Sequence, residues 1–130
     1  LLDCPPSSLP HLKVVALGGE AMKRDIISKW RSSVTLINTY GVTEVCVYQF
    51  YHIYPPVHEK EREWASEPTF IGIPYPGNSF LVVVPEERAI KEAETERGER
   101  DYIMTSEGVK LAFAQKGETG ELWMGGNQVS

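Results

Sequence analysis

Residues 12–44 read LKVVALGGEAMKRDIISKWRSSVTLINTYGVTE, and three patterns follow one another within them. Residues 12–17 are a compact apolar run closed by Gly18 and Gly19, as expected of a buried strand. In residues 20–33, Met22, Ile26, Ile27 and Trp30 fall on one side at helical spacing while Lys23, Arg24 and Lys29 lie off it. That pattern predicts an amphipathic helix of about three turns. Residues 34–38, rich in β-branched side chains, predict a second strand. Strand, helix and strand with short joints form a βαβ unit, whose two strands run parallel with a right-handed crossover. Both strands then end on the same sheet edge, where open α/β sheets bind ligands. GGE at 18–20 and NTYGVTE at 38–44 should therefore face one crevice.

Beyond this unit the character becomes β-rich. VCVYQFYHIY at 45–54 suits a strand, or a short helix running into one, and 55–69 is a proline-rich, charged loop. FIGIPYPGNSFLVVVP at 70–85 holds a proline-glycine turn and then a strand over 80–84. EERAIKEAETERGERD at 86–101 offers only Ala89, Ile90 and Ala93 as an apolar side, so a solvated insertion is expected rather than a helix. YIMTSEGVKLAFAQ at 102–115 predicts a hairpin turning near Gly108, and GELWMGG at 120–126 a final strand. The expected class is α/β, with a parallel βαβ part over 1–54 and a β-rich part over 55–130.

The chain of 130 residues, 42% hydrophobic and 24% charged, matches one ordinary domain or a piece of a larger one, with enough apolar content for a core. A formal charge of −5 argues against a nucleic-acid surface, which needs clustered Lys and Arg. Cys4 and Cys46 are too few for a disulfide scaffold and fit a reducing, cytoplasmic compartment. Cys and His never meet at metal-binding spacing, so no structural zinc site is expected. No apolar run approaches the roughly 20 residues that span a bilayer. The first residues, LLDCPPSSLPHL, lack a basic region and a long apolar one, and so do not form a signal peptide. The chain starts on Leu-Leu without an initiator Met and stops just after a strand-like run; both ends are expected to continue into a longer protein.

The polar turns carry the chemistry. Gly18-Gly19 serves a strand-to-helix turn, and two glycines in a row also let a flat ligand pack against bare backbone. Glu20 can cap the helix. Tyr40 can stack on an aromatic base or sit half-buried at a strand end. Thr43 offers a hydroxyl to a phosphate oxygen or to a helix N-terminus. Glu44 is a surface acid or a Mg²⁺ ligand, since Mg²⁺ commonly takes one or two carboxylates plus substrate phosphates. Asn38, donor and acceptor at once, could read an amino-pyrimidine edge. Singly, each has an ordinary structural explanation; together on one crevice edge they suggest a nucleotide site. KGETGE at 116–121 lacks the spacing of a phosphate-binding P-loop. Cys46 has no obvious His partner in sequence, and a G-x-S-x-G nucleophile turn is missing.

LKVVALGGEA, INTYGVTE, IGIPYPGNSFLVV and GELWMGGNQV, in that order, resemble the adenylate-forming superfamily of nonribosomal peptide synthetase adenylation domains, acyl- and aryl-CoA ligases and luciferases. The resemblance covers nearly the whole chain except the charged stretch at 86–101. It implies that the chain is part of the large N-terminal domain of such an enzyme, with ATP and Mg²⁺ as cofactors. Asn38 would hydrogen-bond the adenine and Tyr40 would stack on it, with Gly19 and Glu20 lining the ring through backbone. Thr43 would touch the α-phosphate and Glu44 would coordinate Mg²⁺; these two are the implied catalytic residues. The substrate pocket would include Ala16, Gly18, Thr39, Val47 and Tyr48. A carboxylic acid, and by resemblance an amino acid or β-alanine, would be activated as acyl-AMP with release of pyrophosphate. The acceptor would be a phosphopantetheine carrier domain, or CoA in an acyl-CoA ligase.

Peptide synthetase domains usually carry proline where this chain has Val42, and many CoA ligases carry an aliphatic residue there. Asn38 and the GGE turn resemble amino-acid-activating domains. The family's Gly/Ser/Thr-rich phosphate loop is expected before residue 1. Its ribose-binding aspartate and its small domain with a catalytic lysine are expected after residue 130. The 130 residues alone are therefore expected to be inactive, their partners being the remaining parts of the adenylation domain. A nucleotide-binding or structural module without catalysis is the alternative from another class.

Overall fold

Val14–Gly18 (β1) and Thr35–Tyr40 (β2) pair in parallel, joined by the helix Arg24–Trp30 (α1), so the expected βαβ unit is present. The computed structural model describes residues 1–45, 47–56, 67–85 and 101–127. Within them the chain continues through Phe50–Ile53 (β3), Ile73–Pro74 (β4), Asn78–Pro85 (β5), Tyr102–Met104 (β6), Lys110–Phe113 (β7) and Glu121–Gly126 (β8). Short 3-10 turns occur at Pro6–Ser8 and Thr43–Val45. No described helix is long and apolar enough to cross a membrane.

The chain divides into two compact units, Leu1–Asn78 with Gly126–Ser130, and Ser79–Gly125. The first holds a sheet in the order β1-β2-β3-β4, with β3 antiparallel to both β2 and β4. Its core is Val15, Met22, Ile27, Trp30, Leu36 and Tyr54. Each aliphatic member adds about 1.5–3 kcal/mol on leaving water. Trp30, fully buried, also donates its indole N–H to the Leu1 carbonyl at 3.2 Å, which satisfies the ring's polar edge.

The second sheet has the order β6-β7-β5-β8, and β6 and β7 form the expected hairpin. Gly108, at φ 79°, supplies the left-handed residue of its turn, and Thr105 Oγ1 accepts the Val109 N–H at 3.0 Å. Val83, Val84, Leu111 and Ala112 are its buried side chains.

Some expected boundaries move. The helix spans seven residues, about two turns instead of three. The chain turns at Gly19 (φ 88°) and does not become helical until Arg24, so Met22 enters the core ahead of the helix rather than on it. Within 45–54, the strand covers only Phe50–Ile53, after a 3-10 turn that ends at Val45. β5 starts at Asn78, two residues before the expected 80. Residues 86–100 of the proposed insertion, residues 57–66 of the proposed loop, and Cys46 lie outside the described residues.

Tyr54 closes the first core. Its hydroxyl donates to the Glu67 carbonyl at 3.4 Å, and its ring meets His52 edge-on at 4.8 Å. Burial, with a smaller contribution from the Glu67 charge, pushes its pKa from 10.0 up to about 12. An unfolded tyrosine ionises near 10.0 while this one keeps its proton to about 12, so its contribution is intact below the first value and lost as pH rises to the second. Denaturation midpoints across that window should fall more for the wild-type parent protein than for Tyr54→Phe; equal slopes would remove Tyr54 as the cause.

Candidate functional site

The register pairs Leu17 with Asn38 and Gly18 with Thr39, so the turn after β1 and the turn after β2 leave the sheet side by side. Strand side chains alternate between faces. Val15 and Leu36 lie in the α1-side core, and the same alternation puts Asn38 and Tyr40 on that face, with Phe50 and His52 opposite them on β3. Ala16, Gly18, Ile37 and Thr39 belong to the other face, together with Tyr51, Ile53 and Ile73.

A cleft of about 290 Å³ opens at this edge, close to the lower end of the range for small-molecule sites (~300–1,000 Å³). Gly19, Glu20 and Ala21 line it together with residues 38–41. A third stretch, Pro68, Thr69 and Ile71, completes the wall. Three contacts hold that wall. Asn38 Nδ2 donates to the Phe70 carbonyl at 3.1 Å, using one of the amide's two N–H donors. Arg24 grips Glu67 with one nitrogen on both carboxylate oxygens, at 2.9 and 2.8 Å. The third is the Tyr54 hydroxyl on the Glu67 carbonyl. The Arg24–Glu67 pair is largely exposed, so it directs the chain more than it stabilises it, at ~0.2–1 kcal/mol.

The sequence-derived candidates divide among three places. Gly19, Glu20, Asn38, Thr39 and Tyr40 line this cleft. Tyr40 also packs edge-on against Phe50, centroids 6.3 Å apart, a contact that holds its ring. Gly18 borders an adjoining depression with Leu17 and residues 19–23. Thr43 and Glu44 stand exposed in the 3-10 turn beyond the cleft, which they do not line. Ala16, Val47 and Tyr48 are also outside it. A Cβ on Gly18 would nevertheless come within 2.9 Å of the Tyr48 ring and 2.2 Å of Thr39 Oγ1, so Gly18, Thr39 and Tyr48 form one cluster. Thr39 Oγ1 donates to the Leu17 carbonyl at 3.0 Å, which holds the hydroxyl over the glycine.

Pro68, Thr69 and Ile71 were not legible as site residues. They reach the cleft through contacts spanning 32 and 43 residues, for which no local pattern exists.

The two glycines are required for different reasons. Gly19 has φ 88°, and a Cβ there would meet nothing within 4 Å, so its constraint is conformational. Gly18 meets Thr39, backbone included, at 2.6 Å or less. In urea unfolding of the parent protein, Gly19→Ala should cost about 1–2 kcal/mol. Gly18→Ala should cost more, because the Thr39 backbone cannot give way; the reverse order would refute this assignment.

The family described as AMP-binding enzyme matches residues 2–130. The chain is 44% identical over 77 residues to Nonribosomal peptide synthetase 8 of Aspergillus fumigatus, covering 59% of this chain and 1% of that protein. It is 30% identical over 129 residues to the ferrichrome siderophore peptide synthetase of Mycosarcoma maydis, covering 96% and 2% respectively. The chain thus spans about 1–2% of these relatives' length. Its fold is similar to that of an NRPS protein containing adenylation and PCP domains, with TM-score 0.62 at 18% identity over 99% of this chain and 21% of that one. It is also similar to a long-chain-fatty-acid-CoA ligase from Archaeoglobus fulgidus, with TM-score 0.53 at 18% identity over 92% and 20%. With a family match running from residue 2 to residue 130 and the paired turns meeting at one cleft, the chain belongs to the AMP-binding enzymes, as a portion of an adenylate-forming domain.

Proposed function

We propose that the protein containing this chain activates a carboxylic acid, specifically an amino acid, as acyl-AMP with release of pyrophosphate, and passes the acyl group to a thiol. The observation that carries this reading is the shared cleft: residues 19–21 and 38–41, distant in sequence, line one opening beside the Tyr40 ring. Asn38 and Tyr40 hold the adenine, the first through its amide and the second by stacking, with Gly19 and Glu20 backbone at the ring edge. The acid lies on the other sheet face, against Ala16, Gly18, Thr39, Val47 and Tyr48. Strand alternation supports that separation of nucleotide from acid.

Thr43 and Glu44 follow the cleft-lining residues 38–41 in the chain and are exposed on a 3-10 turn, the segment we assign to the phosphates. Thr43 offers its hydroxyl to the α-phosphate. Glu44 contributes one exposed carboxylate, and among the described residues no three acidic, His or Cys side chains converge. One carboxylate suits Mg²⁺ arriving with substrate phosphates, not a resident cation in an all-protein cage. The ion supplies charge neutralisation of the triphosphate. The protein's own part is orientation: a carboxylate oxygen of the acid attacks the α-phosphorus while the bond to the bridging β-phosphate oxygen breaks. Pyrophosphate leaves, and a thiol later displaces AMP from the acyl carbon. Positioned donors account for most of such rate enhancement.

A phosphopantetheine thiol on a carrier domain is the favoured acceptor, because the Aspergillus fumigatus and Mycosarcoma maydis relatives are named as peptide synthetases. CoA is the second reading, favoured by Val42 at the position where peptide synthetases usually carry proline. The enzyme works in the cytoplasm, in line with its sparse cysteine content. The 130-residue chain, without the rest of its domain, does not turn over.

Amino-acid-dependent ATP–pyrophosphate exchange by the full-length protein, across a panel of amino, aryl and fatty acids, tests this function; no exchange with any acid would reject it. Glu44→Gln should lower exchange at least tenfold, and unchanged kinetics would remove Glu44 from the metal site. Tyr40→Ala should raise the KM for ATP roughly 2- to 12-fold, the range set by loss of one stacking interaction of about 0.5–1.5 kcal/mol. Exchange by the isolated 130 residues would disprove their dependence on the remaining domain.

A further inference from the structure

We infer that Gln49 is a positioning residue that sets the phosphate-facing turn Thr43–Glu44 without touching the nucleotide. Gln49 is a primary amide only 2% exposed, among the largest buried side chains of the chain. Its Oε1 accepts the Val42 N–H at 3.2 Å and its Nε2 donates to the Val45 carbonyl. One planar amide thus grips both ends of the segment that carries Thr43 and Glu44, leaving those two side chains exposed.

The backbone of Gln49 is equally committed. Its N–H donates to the Tyr40 carbonyl at 2.9 Å, and its carbonyl accepts from the Tyr75 N–H at 2.9 Å and from Asn78 Nδ2 at 3.3 Å. The amide therefore acts from a fixed anchor. Gly41 records the same constraint. A Cβ there would lie 1.9 Å from the Val47 carbonyl oxygen and 2.4 Å from Gln49 Oε1, so the Val47 backbone and the Gln49 side chain together occupy the space that any other residue at 41 would need.

Geometry separates this device from the adenine contacts. Asn38 and Tyr40 belong to β2 and are held by strand pairing and by Phe50, upstream of the segment that Gln49 grips. Loss of the amide should release the turn and leave the strand in place. Phosphate and metal binding should weaken while adenine binding persists. A residue that merely stabilised the fold would weaken both together. This inference rests on the proposed function, in which Thr43 and Glu44 face phosphate and Mg²⁺.

The test is isothermal titration of the full-length protein and its Gln49→Leu and Gln49→Glu variants with ATP plus Mg²⁺, ATP plus EDTA, and adenosine. Leucine approximates the buried volume without the amide. Glutamate keeps the acceptor for the Val42 N–H, but as a carboxylate it cannot donate to the Val45 carbonyl; protonated, it can. Gln49→Leu should bind Mg²⁺-ATP at least tenfold more weakly with adenosine affinity within twofold of wild type. Gln49→Glu should share that loss at pH 8 and recover towards pH 6, because burial raises the pKa of a carboxylic acid. Equal losses for Mg²⁺-ATP and adenosine, or no loss of either in a folded variant, would overturn the inference. If Gln49→Leu does not fold, the pH-dependent recovery of Gln49→Glu decides alone, and a flat profile overturns it. A wild type that binds ATP no better with Mg²⁺ than with EDTA would reject the functional reading itself, and this inference with it.

Discussion

The site depends on the parallel pairing of β1 with β2. Parallel neighbours finish at the same sheet edge, so Gly18 and Thr39, separated by 21 positions, become partners. The pairing is held from beneath. Trp30, Ile27 and Met22 pack against Val15 and Leu36, and that packing fixes which face of each strand meets the helix. A slip of one residue would send Asn38 and Tyr40 to the opposite face and bring Thr39 to the helix side. Register is thus a chemical variable here as well as a structural one.

Alternation along β2 then divides the labour proposed for the site. Consecutive residues Asn38, Thr39 and Tyr40 alternate between faces, two on the face that carries α1 and one on the face of Gly18, although all three reach the cleft at the sheet edge. A ligand whose two halves differ chemically, such as an acyl-adenylate, is matched by a strand whose two faces differ. The close approach of Thr39 to Gly18 leaves no room for a side chain at 18 and makes that glycine a packing requirement. Gly19, beside it, is required by backbone conformation instead. The doublet therefore has two causes, where a turn alone would account for one.

Long-range polar contacts complete the cleft. The segment around Pro68–Ile71 is carried to it by the Asn38 amide, the Tyr54 hydroxyl and the Arg24–Glu67 pair. Exposed ion pairs stabilise little, so this wall depends chiefly on the buried members, Asn38 and Tyr54. The turn after β2 is treated similarly, with the buried Gln49 amide bonded to two of its backbone groups, the Val42 N–H and the Val45 carbonyl.

Local pattern determined a good part of this protein. Helical spacing of Ile26, Ile27 and Trp30, β-branched residues around Leu36, and glycines at 19 and 108 foretold α1, β2 and the turns, because periodicity and positive φ act within a few residues. The convergence of the GGE and NTYG turns was legible too, since the two strands of a βαβ unit run parallel and finish at one sheet edge. Tertiary structure decided the rest. It alone shortened α1, with Met22 reaching the core from the non-helical segment ahead of it, and it alone brought Pro68, Thr69 and Ile71 to the cleft. It also set Thr43 and Glu44 beyond the cleft instead of within it. These outcomes are balances of burial and hydrogen bonding between residues far apart in the chain. A sequence window contains one partner of each such pair and never both.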